Sequence, residues 1–92
     1  MIAGAKQTVA KIIVDTLARH GVEVMFSQSL PSAVLLAAED HNIEQFMYRT
    51  ENAGTVMADG YARISGKVGV VSAQNGPAAT LLVPGLAEAL KV

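Results

Sequence analysis

The sequence contains no cysteine, and charged residues make up only 16% of its 92 residues. The missing cysteine excludes disulfide bonds, thiolate zinc sites and cysteine nucleophiles. It also fits a reducing compartment, so we expect a cytoplasmic location. Seven basic residues against eight acidic ones give a net charge of −1. That balance offers neither a basic surface for nucleic acid nor an acidic tail, and we expect no nucleic acid partner.

Long apolar runs are absent as well. The longest spans residues 33–38, whereas a membrane helix needs about 20 apolar residues, so we expect no membrane span. Lys6, Lys11 and Asp15 interrupt the N-terminal apolar stretch, and we expect no signal peptide. Apolar residues nevertheless account for 51% of the chain, which excludes disorder. So large a share in so short a chain predicts surface that missing chain or a partner subunit covers.

Hydrophobic periodicity predicts helices that alternate with strands. We predict helices over residues 8–20, 32 to about 41, 51 to about 64 and from 77 toward 90, and strands over residues 22–26, 43–48 and 68–73. Thr8 and Thr50 are predicted N-caps, and Gly21 and Asn42 are predicted to close the first two helices. Pro84 predicts a kink in the last helix or a late start of it.

One helix followed by three strand–helix units is typical of right-handed crossovers in a parallel sheet. The sequence therefore predicts an α/β fold, a three-layer αβα arrangement with helices on both faces of a parallel sheet. Met25, Met47 and Met57 are expected to fill its core. Three strands would leave a sheet edge unpaired, so we interpret residues 1–92 as the N-terminal part of one domain, truncated after the fourth helix.

Several familiar motifs fail on inspection. Gly60, Gly66 and Lys67 imitate a phosphate loop, but the glycine spacing is wrong and a valine replaces the Ser/Thr that binds magnesium. No dinucleotide fingerprint and no serine elbow is present. His20 and His41 each fall at a predicted helix end, where the helix dipole favours them, and we assign them no ligand role.

The informative stretch is residues 48–63, YRTENAGTVMADGYAR. It places Glu51 where a parallel strand ends and a helix begins, which is where open α/β sheets hold their ligands. A carboxylate in the first turn of a helix also stabilises the helix by about 0.3 to 1 kcal/mol. From the residues alone, Glu51 is either a functional acid or a simple dipole partner.

Here the sequence resembles the pyrimidine-binding (PYR) domain of thiamine-diphosphate enzymes, specifically the acetolactate synthase-like group. The residues that carry the resemblance are 17–26 (LARHGVEVMF), Glu51 with 57–63 (MADGYAR), Gly66 with Lys67, Gly76 with Pro77, and 85–89 (GLAEA). They extend over nearly the whole chain.

The resemblance implies a role for each part of the site. The glutamate that Glu51 matches bonds the N1′ nitrogen of the cofactor's aminopyrimidine ring and so promotes loss of the proton from C2 of the thiazolium. The substrate implied is pyruvate or a similar 2-oxo acid, decarboxylated with or without carboligation. Gly76 and Pro77 are expected to bring backbone close to the cofactor, because glycine permits close approach. Asp59, Tyr61 and Arg63 are expected to pack rather than to touch ligand.

The rest of the cofactor site is implied to lie outside these residues. A diphosphate-binding (PP) domain supplies the Mg²⁺ ligands in the family, and the cofactor lies between domains of two subunits. We therefore expect no metal ligands in this chain, a homodimer or homotetramer, and no activity of the 92-residue piece alone. An FAD requirement, the substrate and the acceptor stay open.

Three departures from the family pattern bear on the function. Residues 27–31 read SQSLP where the family carries a Gly-x-Pro-Gly-Gly-type turn, Thr50 stands where a histidine commonly precedes the glutamate, and residues 76–81 read GPAATL rather than GPGATN. The altered turn permits two alternatives to an enzyme segment, a noncatalytic α/β interaction module and one chain of a split thiamine-diphosphate enzyme.

Overall fold

The computed structural model describes residues 8–29 and 31–91. The elements in chain order are α1 (Val9–Arg19), β1 (Val24–Ser27), α2 (Ser32–Asp40), β2 (Glu44–Met47), α3 (Glu51–Ser65), α4 (Pro77–Thr80) and α5 (Val83–Leu90). Lys6, used above to argue against a signal peptide, and Leu30 of the altered turn lie outside the described residues.

Local signals in the sequence set the helix ends. Thr8 and Thr50 cap α1 and α3, since their hydroxyl oxygens accept hydrogen bonds from the backbone N–H groups of Lys11 and Ala53, both at 3.2 Å. Gly21, just after α1, has a φ of 80°, a left-handed conformation that glycine adopts without steric cost. Asn42 adopts a φ of 57° after α2. These four predictions are confirmed.

The sheet is parallel, as predicted. β1 pairs with β2 in the register Val24 to Glu44 through Ser27 to Met47. On its other side, β1 meets residues 68–73 through one parallel bridge between Phe26 and Val71. Val70 O accepts from Phe26 N and Phe26 O accepts from Ser72 N, both at 2.9 Å.

The prediction of a third strand over residues 68–73, covered on both faces, is wrong in extent. Within the described ranges this segment pairs only with β1, and only around Val71. Its outer edge has no strand partner there, and Val68 is 55% exposed. A single bonded edge leaves the segment extended and parallel to β1 without a regular ladder.

Hydrophobic clusters lie on both faces of the sheet because successive side chains of a strand point in opposite directions. Met25 belongs to the cluster that α1 and α2 cover, whereas Phe26 belongs to the cluster beneath α3. Residues Val14, Val22, Met25, Ala37, Ala38 and Ile43 form the first cluster, and Phe26, Tyr48 and Ala58 form the second. The chain therefore has the predicted three-layer α/β arrangement.

The C-terminal helix begins late, one of the two outcomes predicted from Pro84. A four-residue helix, α4, starts at Pro77, and α5 then starts at Val83 with Pro84 in its first turn. Proline is tolerated there because the first-turn N–H groups have no partner within the helix.

Much apolar surface is exposed. The expectation that Met25, Met47 and Met57 fill the core holds only for Met25, which is 1% exposed, while Met47 is 73% exposed on a strand that has no outer neighbour among the described residues. Ile64 and Leu90 are also largely exposed. Within residues 8–29 and 31–91, no helix combines the length and the apolar content needed to cross a bilayer.

Candidate functional site at the carboxyl edge of the sheet

The carboxyl ends of three parallel segments share one edge of the sheet. β1 ends at Ser27, β2 ends at Met47, and the third segment passes Ser72 at the same edge. The helix α3 starts four residues after β2, so Glu51 lies at this edge. Open α/β sheets bind their ligands at this edge.

Glu51 is the first residue of α3 and is half-buried. Its backbone oxygen accepts a hydrogen bond from Thr55 Oγ1 at 3.0 Å. Within the described part of the chain, the Glu51 carboxylate forms no hydrogen bond and no ion pair. Asp59, two turns along the same helix, instead pairs with Arg63 at 3.0 Å. Glu51 is thus a carboxylate held by its backbone, with oxygens available to a ligand.

The Tyr48 side chain packs against the first turn of α3. Its side chain is buried, and its hydroxyl donates to Ser72 O at 2.8 Å. Gly54 lies directly over the ring, where any added Cβ would overlap the ring atoms. Burial raises the pKa of the Tyr48 hydroxyl above its ordinary value of 10.0, and the negative charge of Glu51 adds to this effect. Tyr48 is therefore a neutral hydrogen-bond donor that joins β2 to the third segment.

Gln28 joins the ends of β1 and β2. Its Nε2 donates to Tyr48 O at 3.3 Å and to Arg49 O at 3.2 Å. These two carbonyl groups directly precede Thr50, the N-cap of the helix that carries Glu51. The side chain therefore fixes the turn that leads to the candidate acid.

Gly76 and Pro77 lie in the loop between Ser72 and Leu82, which includes the short helix α4, and side chains at and just before α3 hold both ends of this loop. Ser72 O accepts from Tyr48 at one end, and Leu82 O is 3.5 Å from Thr55 Oγ1 at the other. Gly76 has a φ of 81° and a ψ of −139°, a conformation that glycine readily adopts. No hydrogen bond joins Glu51 to Gly76 or Pro77 in residues 8–29 and 31–91. The structure brings the ends of the loop to the edge that holds Glu51.

The other motif residues contact neighbouring side chains of the protein. Asp59 and Arg63 form their ion pair on the surface of α3, and the Tyr61 ring meets the Phe26 ring edge-on at 6.0 Å. His20 and His41 are the C-caps of α1 and α2. The Nδ1 of His41 lies 3.0 Å from Ala37 O, which is typical of a capping role.

Two cavities lie away from Glu51. An open cleft of about 510 Å³ lies where β2 begins, at the opposite edge of the sheet, and is lined by Glu39, Asn42, Ile43, Glu44 and Gln45. An apolar groove of about 130 Å³ separates α3 from α5 and is lined by Thr55, Ala58, Asp59, Ala62, Gly69, Val71, Leu86 and Ala89. Across the described residues, no three His, Asp or Glu side chains are grouped to hold a metal ion.

Sequence reasoning missed Gln28, Tyr48 and Ser72 as parts of this edge. Gln28 and Tyr48 are joined across 20 residues, and Tyr48 and Ser72 across 24. Helix and strand patterns carry no signal for contacts at that separation. The departure of residues 27–31 from the family turn did draw attention to the position of Gln28. No such signal exists for Ser72, whose Oγ is buried with no partner in the described ranges.

A glutamate at the carboxyl edge of a parallel α/β sheet agrees with the resemblance drawn from the sequence. Residues 7–91 match the family "Thiamine pyrophosphate enzyme, N-terminal TPP binding domain", and the chain belongs to this family. The chain is similar to acetolactate synthases, and it is 42% identical to the large subunit from Parasynechococcus marenigrum (strain WH8102) over 95 residues.

Two further relatives come from distant organisms. The chain is 41% identical over 87 residues to the chloroplastic acetolactate synthase of Arabidopsis thaliana. It is 38% identical over 85 residues to the large subunit of acetolactate synthase isozyme 2 from Escherichia coli (strain K12). The three matches cover 95%, 88% and 88% of this chain but only 15%, 12% and 15% of the relatives. The chain therefore spans a small part of the length of these proteins.

Proposed function

We propose that this chain is the pyrimidine-binding segment of a thiamine-diphosphate enzyme that acts on pyruvate or a similar 2-oxo acid, by decarboxylation, carboligation or both. The observation that carries the proposal is Glu51, a half-buried carboxylate at the carboxyl edge of the sheet without a protein partner in the described residues. The names of the relatives, all acetolactate synthases, support the substrate class.

The chemistry of Glu51 fits the cofactor. The N1′ nitrogen of an aminopyrimidine needs a carboxyl partner with which it can share a proton, and the Glu51 oxygens are available for that bond. When bound, thiamine diphosphate would supply a carbon nucleophile toward the 2-oxo acid and, in its thiazolium ring, an acceptor for the electron pair released by decarboxylation.

This chain's own part is to hold and orient the acid. Thr50 caps α3, and Thr55 bonds the Glu51 carbonyl, so the backbone of Glu51 is fixed on both sides. Glu51 then holds a proton at N1′ of the ring, a positioned acid–base contribution typically worth about 10²- to 10⁴-fold in rate. We assign Gly76 and Pro77 to the backbone that approaches the ring, a role supported by the anchoring of their loop at the same edge.

Other parts of the holoenzyme lie outside these residues in this proposal. Residues beyond the chain hold Mg²⁺ and the diphosphate, and the chain alone is inactive. A cytoplasmic location is supported by the absence of cysteine. An FAD requirement is tested by the visible absorption of the purified protein.

We also propose a homodimer or homotetramer. The outward face of α3 supports it, because Val56 is 62% exposed and Ile64 is 91% exposed on a helix whose opposite face is buried. Exposed apolar residues of this kind indicate surface that a partner subunit or further chain covers, and we propose the partner subunit.

The experiment that tests the function is exchange of the C2 proton of thiamine diphosphate for deuterium in the intact, cofactor-loaded protein. Glu51→Gln keeps the size of the side chain but removes its acid–base function, and we expect exchange to slow by about 10²- to 10⁴-fold. Asp59→Asn is the matched control, because it neutralises another carboxylate on the same helix whose partner is Arg63. An unchanged exchange rate in Glu51→Gln would rule out the assignment and favour a noncatalytic module.

A further inference from the structure

We infer that Gln28 is a positioning residue for Glu51, acting through the turn between β2 and α3; this inference rests on the proposed function. Gln28 lies in residues 27–31, the segment in which the sequence departs from the family pattern. The altered turn thus contributes a specific contact to the site.

The backbone hydrogen bonds between β1 and β2 stop just before the turn between β2 and α3. The last backbone bond between the two strands runs from Tyr48 N to Ser27 O at 3.0 Å. Beyond it the chain turns into Thr50 and α3, so backbone groups of β1 no longer reach β2. The Gln28 side chain continues the pairing by two more acceptors, Tyr48 O and Arg49 O.

The chemistry of these acceptors fixes the orientation of the amide. Carbonyl oxygens only accept hydrogen bonds, so the NH₂ end of Gln28 must face both of them. One nitrogen with two hydrogens serves two neighbouring carbonyls, at 3.3 and 3.2 Å. A side chain that lacks this NH₂ group cannot reproduce the pair of bonds.

The contact lies next to the acid in sequence. Arg49 O is two residues before Glu51, and on the other side the Thr55 hydroxyl bonds Glu51 O. The bonds made by Thr50 and Thr55 to the backbone of α3 are internal to that helix and its cap. Gln28 by contrast ties the turn to β1, and so it sets the position of Glu51 relative to the sheet.

Gln45 provides a matched control within the same sheet. It is also a half-buried glutamine whose Nε2 donates to a backbone carbonyl, Leu35 O, at 2.7 Å. That carbonyl lies in α2, remote in sequence from the turn that precedes Glu51. A generic structural effect of losing a glutamine–carbonyl bond should therefore appear in both variants, and a positioning effect only at Gln28.

The test compares Gln28→Leu, Gln28→Glu and Gln45→Leu with Glu51→Gln in the intact protein loaded with thiamine diphosphate and Mg²⁺. We expect both Gln28 variants to slow C2 exchange by about 10- to 100-fold, the cost of misplacing a catalytic group by a fraction of an ångström to an ångström. Gln28→Glu matters because it keeps size and polarity but offers no NH₂ donor. In the Gln45→Leu protein, the C2 proton should exchange at the parental rate. Its thermal stability should fall by an amount similar to that of the Gln28 variants.

A second readout needs no cofactor. In NMR spectra of the cofactor-free protein, Gln28→Leu should shift the backbone amide signals of Thr50 and Glu51, and Gln45→Leu should leave them in place. Equal exchange rates in the Gln28 and Gln45 variants, or unmoved Thr50 and Glu51 signals, would overturn the inference. If Glu51→Gln itself leaves exchange unchanged, the proposed function fails, and the NMR comparison alone decides whether Gln28 sets this turn.

Discussion

On the face of α3 that packs against the sheet, Gly54, Thr55 and Ala58 are buried, whereas the outward face exposes Val56 and Ile64. The larger apolar side chains thus point away from the core, and the smaller residues face it. The reason is close approach, since three glycines among the described residues lie where a Cβ would overlap a neighbour. Gly54 meets the Tyr48 ring, Gly69 meets Ala58 O, and Gly85 meets the Thr55 side chain.

This difference shows that apolar size alone does not tell which side of a helix packs inward. The inner face of α3 carries small residues because the sheet and α5 pack closely against it. This close packing places Glu51 at the carboxyl edge. Packing in this chain's own core does not explain the apolar residues of the outer face. Substitutions on the two faces should therefore behave in opposite ways.

The largest effect is expected on the inner face. Gly54→Ala places a methyl group into the Tyr48 ring, and overpacking of this kind costs about 1–3 kcal/mol in the free energy of unfolding. Gly60→Ala is the matched control, because a Cβ at Gly60 meets nothing within 4 Å. In that variant alanine should stabilise the helix by about 0.5–1 kcal/mol. Urea unfolding measures both, and equal effects of the two substitutions would contradict close packing at Gly54.

An intermediate effect is expected at Tyr48. Tyr48→Phe keeps the ring beneath Gly54 but removes the donor to Ser72 O, which should cost about 0.5–1.5 kcal/mol. Because the folded-state pKa lies above the ordinary value of 10.0, this contribution is fully present below about pH 10 and is lost as the pH rises through the folded-state pKa.

The pH dependence separates the hydroxyl from the ring. Unfolding free energies measured from pH 8 upward should fall more steeply in the parent than in Tyr48→Phe. Parallel curves for the two proteins would mean that the hydroxyl does not titrate with unfolding.

The smallest effect on folding is expected on the outer face. Ile64→Lys alters a side chain that is 91% exposed, so the unfolding free energy of the domain should change by less than about 0.5 kcal/mol. If a second subunit covers this face, the same variant should weaken self-association of the intact protein in sedimentation experiments. Gly60→Ala and the parent serve as references, and a variant that still associates like the parent would remove this face from the proposed interface.

The sequence predicted the parts of the structure that local chemistry decides. Thr8, Thr50 and Pro84 signal helix starts through caps and missing N–H groups, and the structure follows each of them. Residues 68–73 were predicted as a full strand because their side chains favour strands, yet strand length also depends on neighbours that no propensity encodes. Met47 was wrongly predicted to be buried for the same reason, because its exposure follows from the edge position of β2 in the sheet.

The candidate site divides in the same way. The position of Glu51 at the end of a strand and the start of a helix was predictable from the pattern. The interpretation of Glu51 as a functional acid, rather than as a partner of the helix dipole, came from the resemblance of residues 51–63 to a known family. The hydrogen bonds of Gln28 and Tyr48 near the start of its helix join positions at least 20 residues apart and could be found only from the structure.

Hydrogen bonds hold both ends of the loop that contains Gly76 and Pro77. Tyr48 donates to Ser72 O at one end, and Thr55 donates to Leu82 O at the other. A loop whose ends are fixed can change its sequence, and even its length, at a closure cost that grows only slowly with the number of residues. Residues 76–81, which read GPAATL, already differ from the family pattern inside these anchors. In the proposed site, this loop is therefore the part in which substitutions can alter ligand preference while Glu51 keeps its place.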